Sequence, residues 1–95
     1  MRVIGRQKLL EAAARDPTLR GRLSAWYKVA STSTWKNLLE VRQTYPAADY
    51  VAPFTVFNIK GNRYRLIASI EYSMQLILIK DVLTHAEYDR GRWKE

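Results

Sequence analysis

The sequence predicts an α+β domain, with helices first and an antiparallel sheet after. Three observations lead there. Before Pro46 the apolar residues recur at spacings of three and four, the period of a helix. After Ala47 they recur at every second residue, the period of a strand. The chain has 95 residues, 47% of them hydrophobic, which suits one core and one domain spanning residues 1–95.

Met1 to Ile4 reads as a short strand. Arg6 to Arg15 is rich in strong helix formers, with Leu9, Leu10, Ala13 and Ala14 on one face. Asp16-Pro17 breaks that helix and starts a second, because Asp caps well and Pro suits a first helical position. The second helix is expected from Pro17 to Ala30, with Leu19, Leu23, Trp26, Tyr27 and Ala30 on one stripe. Gly21 weakens it by about 1 kcal/mol relative to Ala. Ser31 to Thr34 reads as a polar loop whose end caps a third helix. That helix carries Trp35, Leu38, Leu39 and Arg42 at helical spacing, and Pro46 stops it. Trp26 and Trp35 read first as core aromatics.

Asp49 to Phe54 reads as irregular, since Pro53 argues against a central strand. Thr55 to Ile59 reads as a strand. Arg63 to Tyr72 reads as the next, with Tyr64, Leu66, Ala68 and Ile70 on one face and Arg63, Arg65, Ile67, Ser69 and Glu71 on the other. A Gly61-Asn62 turn joins the two. Tyr72-Ser73-Met74 turns into a third strand, Gln75 to Leu83, whose apolar run predicts burial on both faces. Thr84 caps one further helical turn, with Glu87 at the capping-box position.

Composition narrows the chemistry. The net charge of +7 points to a polyanion: nucleic acid, an anionic membrane face or an acidic protein. Cys is absent, which excludes disulfides and thiolate metal sites and fits a reducing cytoplasm. No signal-like or membrane-length apolar run appears. One His and no close acidic cluster give no metal signature, and the four scattered Gly form no phosphate loop. What remains is metal-free acid–base chemistry on a phosphodiester. It needs a base for the ribose 2′-hydroxyl, an acid for the leaving oxygen and cations for the developing charge. Lys60, Arg63 and Arg65 supply cations around the hairpin turn. His85 and Tyr88, three apart on one helical turn, supply proton transfer and stacking. The same residues also read as a solvated hairpin tip and a helical cap.

The chain carries Arg22 to Tyr27 (a loosely spaced Arg-x-Trp-Tyr), Trp35-Lys36 and Tyr45 to Asp49. Then come Phe57-Asn58-Ile59-Lys60-Gly61-Asn62-Arg63-Tyr64-Arg65-Leu66 and Thr84-His85-Ala86-Glu87-Tyr88-Asp89. In that order they resemble the HigB toxins of bacterial type II toxin–antitoxin systems. The resemblance implies a RelE-like fold, with N-terminal helices on a small antiparallel sheet and a short C-terminal helical turn. It implies an mRNA endonuclease, often acting on the translating ribosome, without metal or cofactor. It also implies a HigA-type antitoxin with a helix-turn-helix domain, through which alone the toxin reaches operator DNA. Carried onto this sequence, Lys60 and Arg65 stabilise charge at the scissile phosphate, and His85 and Tyr88 share proton transfer or positioning. Arg63, Asn62 and Arg90 add RNA contacts, Asn62 being a turn residue first. Two other classes fit the fold or the charge: a gyrase poison of the ParE kind, and a non-catalytic RNA- or ribosome-binding module. A domain with one His has few groups for acid–base work, so ribosome-held substrate geometry is expected to help it.

Overall fold

A computed structural model describes residues 1–94. Strand β1 (Arg2–Ile4) leads through Gly5 into helix α1 (Arg6–Arg15). Gly5 has φ +97, and a Cβ there would stand 2.9 Å from the Ile79 carbonyl oxygen, so only glycine lets the chain turn this tightly against the sheet. A 3-10 turn (Pro17–Leu19), capped by Asp16, precedes helix α2 (Arg20–Thr32). Helix α3 (Leu38–Thr44) follows, then β2 (Asp49–Val51), β3 (Phe54–Ile59), β4 (Tyr64–Glu71) and β5 (Leu76–Thr84). Helix α4 (His85–Arg90) and a 3-10 turn (Arg92–Lys94) close the described chain.

The strand order is β1-β5-β4-β3-β2. The β2–β3–β4–β5 meander is antiparallel, but β1 runs parallel to β5. The expected antiparallel sheet is present, and β1 adds a parallel strand at its edge. Helices α1 to α3 carry the chain from β1 to β2 at the opposite edge, and the meander then returns to set β5 beside β1.

Helices α1 to α3 cover one face of the sheet. Leu9, Leu23, Trp26, Ala30 and Val41 meet Phe57, Leu66, Ala68, Ile77, Ile79 and Val82 in one buried cluster. Trp26 packs edge-on to Phe57, ring centroids 5.4 Å apart. The expected faces of β4 hold: Leu66 and Ala68 lie in this cluster, and Ile67 lies in a second one on the opposite face. That second cluster joins Val56 and Ile67 to Trp93, with Phe54, Leu83 and Tyr88 packed around them.

Other expectations are corrected. The second helix runs on to Thr32, because the Thr32 and Ser33 hydroxyls bond back to the Lys28 and Val29 carbonyls. The third starts at Leu38, where the Asn37 side chain accepts from the Glu40 N–H; Trp35 is buried core, but in a loop. Asp49–Val51 is not irregular: it is an edge strand on β3, and Pro53 sits in the connecting turn. Strand β5 is not buried on both faces, since Leu78 is 42% exposed. The register steps from Ile67↔Asp81 to Ala68↔Ile79, a bulge at Lys80. It lets Ile79 and Val82, three apart, both face the core.

Gly21 is exposed in α2, and a Cβ there would meet nothing within 4 Å. Gly21→Ala is expected to stabilise the fold by about 0.5–1 kcal/mol. Thermal unfolding should show this as a rise of a few degrees, roughly 4–8 °C per kcal/mol for a domain this small.

Candidate active site at the hairpin tip

Strand pairing fixes where the basic residues stand. Asn58 pairs with Arg65, and Arg65 with Leu83, so Arg65 projects from the sheet face opposite the helices. The connection Lys60–Arg63 turns through left-handed backbone at Lys60 (φ 55) and Gly61 (φ 63). Asn62 then folds back onto Arg65. Its side-chain oxygen accepts from Arg65 Nη2 at 2.7 Å, and its carbonyl accepts from Nη1 at 3.2 Å. Asn62 is thus both a turn residue and an arm that orients the guanidinium.

The guanidinium carbon lies 5.4 Å from the centre of the Tyr88 ring, within cation–π range. Tyr88 in turn stacks on Trp93, centroids 5.0 Å apart and planes within 15°. The Trp93 indole N–H donates to the Tyr88 carbonyl at 2.9 Å, and Phe54 packs edge-on to Trp93 at 5.9 Å. Arg65, Tyr88, Trp93 and Phe54 therefore form one continuous stack. Burial pushes the Tyr88 phenol above its ordinary pKa of 10.0, the Asp49 and Asp89 charges push the same way, and Arg65 opposes them. At neutral pH Tyr88 is a proton-bearing donor.

Helix α4 begins where β5 ends, through the capping box expected of Thr84 and Glu87. Thr84 Oγ1 accepts from the Glu87 N–H at 3.1 Å, and Glu87 accepts from the Thr84 N–H at 2.9 Å. The latter bond is the main reason that the Glu87 carboxyl titrates below its ordinary value. The His85 N–H donates to the Arg63 carbonyl at 2.9 Å, which ties the start of α4 to the hairpin. His85 Nδ1 lies 2.8 Å from Asp89 Oδ2. That contact orients the imidazole and leaves Nε2 for a substrate. Asp89, four residues on along α4, is thus the partner of His85.

The sheet and α4 thus bring together Arg65, Asn62 and Tyr88, with His85 and Asp89 on the same short helix. Residues 19–91 match the HigB toxin family, described as the RelE-like toxic component of a toxin–antitoxin system. The chain belongs to the HigB toxin family. It is 29% identical over 92 residues to the mRNA interferase toxin HigB of Escherichia coli (strain K12), which covers 94% of this chain and 88% of that protein. It is 28% identical over 93 residues to the mRNA interferase HigB of Escherichia coli O6:H1, covering 95% and 90%. The five-stranded sheet with helices on one face agrees with a RelE-like toxin.

The candidate site residues Lys60, Asn62, Arg63, Arg65, His85, Tyr88 and Arg90 lie within residues 19–91. The structure does not bring all of them to one point. Lys60 leaves the hairpin towards the helices: its Nζ donates to Thr18 Oγ1 at 2.7 Å and lies 3.9 Å from Asp16 Oδ2. Arg63 is exposed, one residue from β4. Arg90 is exposed at the end of α4, on a cleft it shares with Asp81, Leu83, Glu87, Arg92 and Trp93. Sequence reasoning missed Trp93, Asp89 as the histidine's partner, and the Asp16–Thr18 contact with Lys60. A signal for Trp93 was present: Gly91 ends α4 in the left-handed conformation (φ 74), which sends the chain back over Tyr88. Among the described residues no three His, Asp or Glu side chains gather to hold a metal ion. No helix there is long and apolar enough to cross a membrane.

Proposed function

We propose that this HigB-family toxin is an endoribonuclease that cleaves mRNA, and that Arg65, Tyr88 and His85 form its reaction centre. The observation that carries the proposal is the Arg65 guanidinium, fixed by Asn62 and seated over Tyr88, whose short helix also holds the His85–Asp89 pair. The names of the relatives, mRNA interferases, support the same reading.

In this mechanism His85 Nε2 takes the proton of a ribose 2′-hydroxyl. The oxygen attacks the adjacent phosphorus, and the bond to the 5′ oxygen breaks. The products are a 2′,3′-cyclic phosphate and a 5′-hydroxyl. Arg65 stabilises the charge that builds on the non-bridging oxygens. Tyr88, kept protonated, donates to the leaving oxygen or to the phosphoryl group, and its ring face offers a surface for a base. Arg63, Asn62 and Arg90 grip the RNA on either side. The site is small and open, so the translating ribosome presents the mRNA in a reactive geometry. A HigA-type antitoxin with a helix-turn-helix domain neutralises the toxin in the cytoplasm and carries it to operator DNA.

Induction of the toxin in cells, with mRNA 5′ ends mapped, tests the reading. New ends inside coding regions should appear together with growth arrest. Growth arrest with intact mRNA and induced DNA damage would sink the nuclease in favour of a gyrase poison. Cleavage of naked mRNA as fast as of ribosome-bound mRNA would remove the ribosome from the account. Within the site, Asp89→Asn is expected to lower kcat by roughly tenfold, the worth of one charge-assisted hydrogen bond to the histidine. Single-turnover cleavage of a defined mRNA measures it, and an unchanged rate would show that His85 needs no orienting partner.

A further inference from the structure

Lys60 sits in a turn of left-handed backbone, at the tip of a hairpin. A lysine in such a place ordinarily sweeps through water on a flexible four-carbon stem. Here the side chain is only 23% exposed. It is held because a fixed acceptor stands beside it. Asp16 caps the Pro17–Leu19 turn, and its Oδ1 accepts from the Thr18 N–H at 3.0 Å and the Thr18 hydroxyl at 2.6 Å. Its Oδ2 accepts from the Tyr64 hydroxyl at 2.8 Å. Thr18 Oγ1, already donating to Asp16, accepts from Lys60 Nζ at 2.7 Å. The carboxylate is anchored by the helix junction and by β4, so the lysine has come to the carboxylate. The cap is complete without Lys60, and the Tyr64 hydroxyl already ties β4 to Asp16. The lysine contact therefore lacks an obvious role in holding either element. An ammonium has three N–H donors, so bonding to Thr18 leaves others to face outwards.

We infer that Asp16 is the positioning residue for Lys60: with the Thr18 hydroxyl it holds the ammonium on the helical flank of the hairpin tip, to take an RNA backbone phosphate next to the one that Arg65 holds. The inference rests on the ribonuclease reading above. It extends the RNA path across the hairpin, from the α4 side to the junction of α1 and α2. It also fixes a sign. A neighbouring carboxylate weakens the field of a lysine, so a contact that merely withdrew Lys60 would make its loss favourable. A contact that positions Lys60 makes its loss unfavourable.

The test is a double-mutant cycle in a reconstituted translation reaction, with cleavage rates followed against mRNA concentration. Lys60→Ala should raise KM by about tenfold, the loss of one charge-assisted contact, with kcat within about twofold. Asp16→Asn should raise KM by roughly fivefold, and the double variant should be no worse than Lys60→Ala alone. Tyr64→Phe leaves the cap intact and should shift KM in the same direction by less, which guards against a fold defect in Asp16→Asn. Additive effects would make Asp16 structural only and overturn the inference, as would a lower KM in Asp16→Asn. A salt titration of binding to a 2′-O-methyl RNA oligonucleotide reads the coupling without cleavage. There Asp16→Asn should weaken binding only while Lys60 is present. Undiminished binding overturns the inference even if cleavage stands, whereas coupled binding without any cleavage would overturn the nuclease reading alone.

Discussion

Arg65→Ala is expected to lower kcat/KM for mRNA cleavage by roughly 10²–10³-fold, the usual cost of removing one preorganised group aimed at developing charge. The guanidinium is fixed before substrate arrives, by the Asn62 side chain and carbonyl and the Tyr64 carbonyl. It therefore spends little orientational entropy in the reaction. Stability should hardly change. Arg65 is only half-buried and joins no ion pair among the described residues, so truncation forfeits its cation–π contact with Tyr88, about 0.5–1 kcal/mol, and hydrogen bonds to Asn62 that are exposed to water. Arg65→Lys separates charge from geometry. It keeps the charge, cannot bond Asn62 with two nitrogens, and should recover only part of the rate. Primer extension on a defined mRNA in a translation reaction gives the rates, and circular dichroism shows that the fold survives. If Arg65→Ala cleaved at the wild-type rate, the reaction centre would lie elsewhere.

The sequence showed this half of the site because strand periodicity is reliable where one face is buried. Leu66, Ala68 and Ile70 set the phase of β4, and Arg65 must then stand on the opposite face. The capping box at Thr84 and Glu87 was equally legible, because its hydrogen bonds lie within four residues. Contacts made across the fold were not. Nothing in the local sequence of β1 says that it pairs with a strand more than seventy residues later. Lys60 shows the same limit within the site. Counted with Arg63 and Arg65 as one cluster, it is divided from Arg65 by the turn and captured by Thr18 and Asp16, residues of a different layer. The bulge at Lys80 and the edge strand at Asp49–Val51 were hidden for a related reason. Both depend on what the neighbouring strand offers, not on the local pattern.

Trp93→Ala is the substitution expected to cost most stability among those near the site, about 3–5 kcal/mol, the usual cost of truncating a buried Trp. Trp93 is 7% exposed and fills the sheet face that no N-terminal helix covers, against Val56, Ile67 and Phe54. Against a total of about 5–15 kcal/mol for a small domain, that is a large fraction. The catalytic effect should exceed what stability explains. Tyr88 loses both its stacking partner and the indole donor to its carbonyl. Helix α4 has only six residues and buries none of them, so little else seats the Tyr88 ring under Arg65. Trp93→Phe divides the two contributions: it keeps a ring to stack on, loses the hydrogen bond at about 1 kcal/mol, and should retain most activity. Chemical denaturation measures the first quantity, and cleavage rates well below the unfolding midpoint measure the second. A destabilised Trp93→Ala protein with wild-type cleavage would mean that α4 holds Tyr88 by itself. Slow cleavage in Trp93→Ala alongside near-normal cleavage in Trp93→Phe would instead show that the aromatic stack beneath Tyr88 is what keeps the phenol within reach of the phosphate.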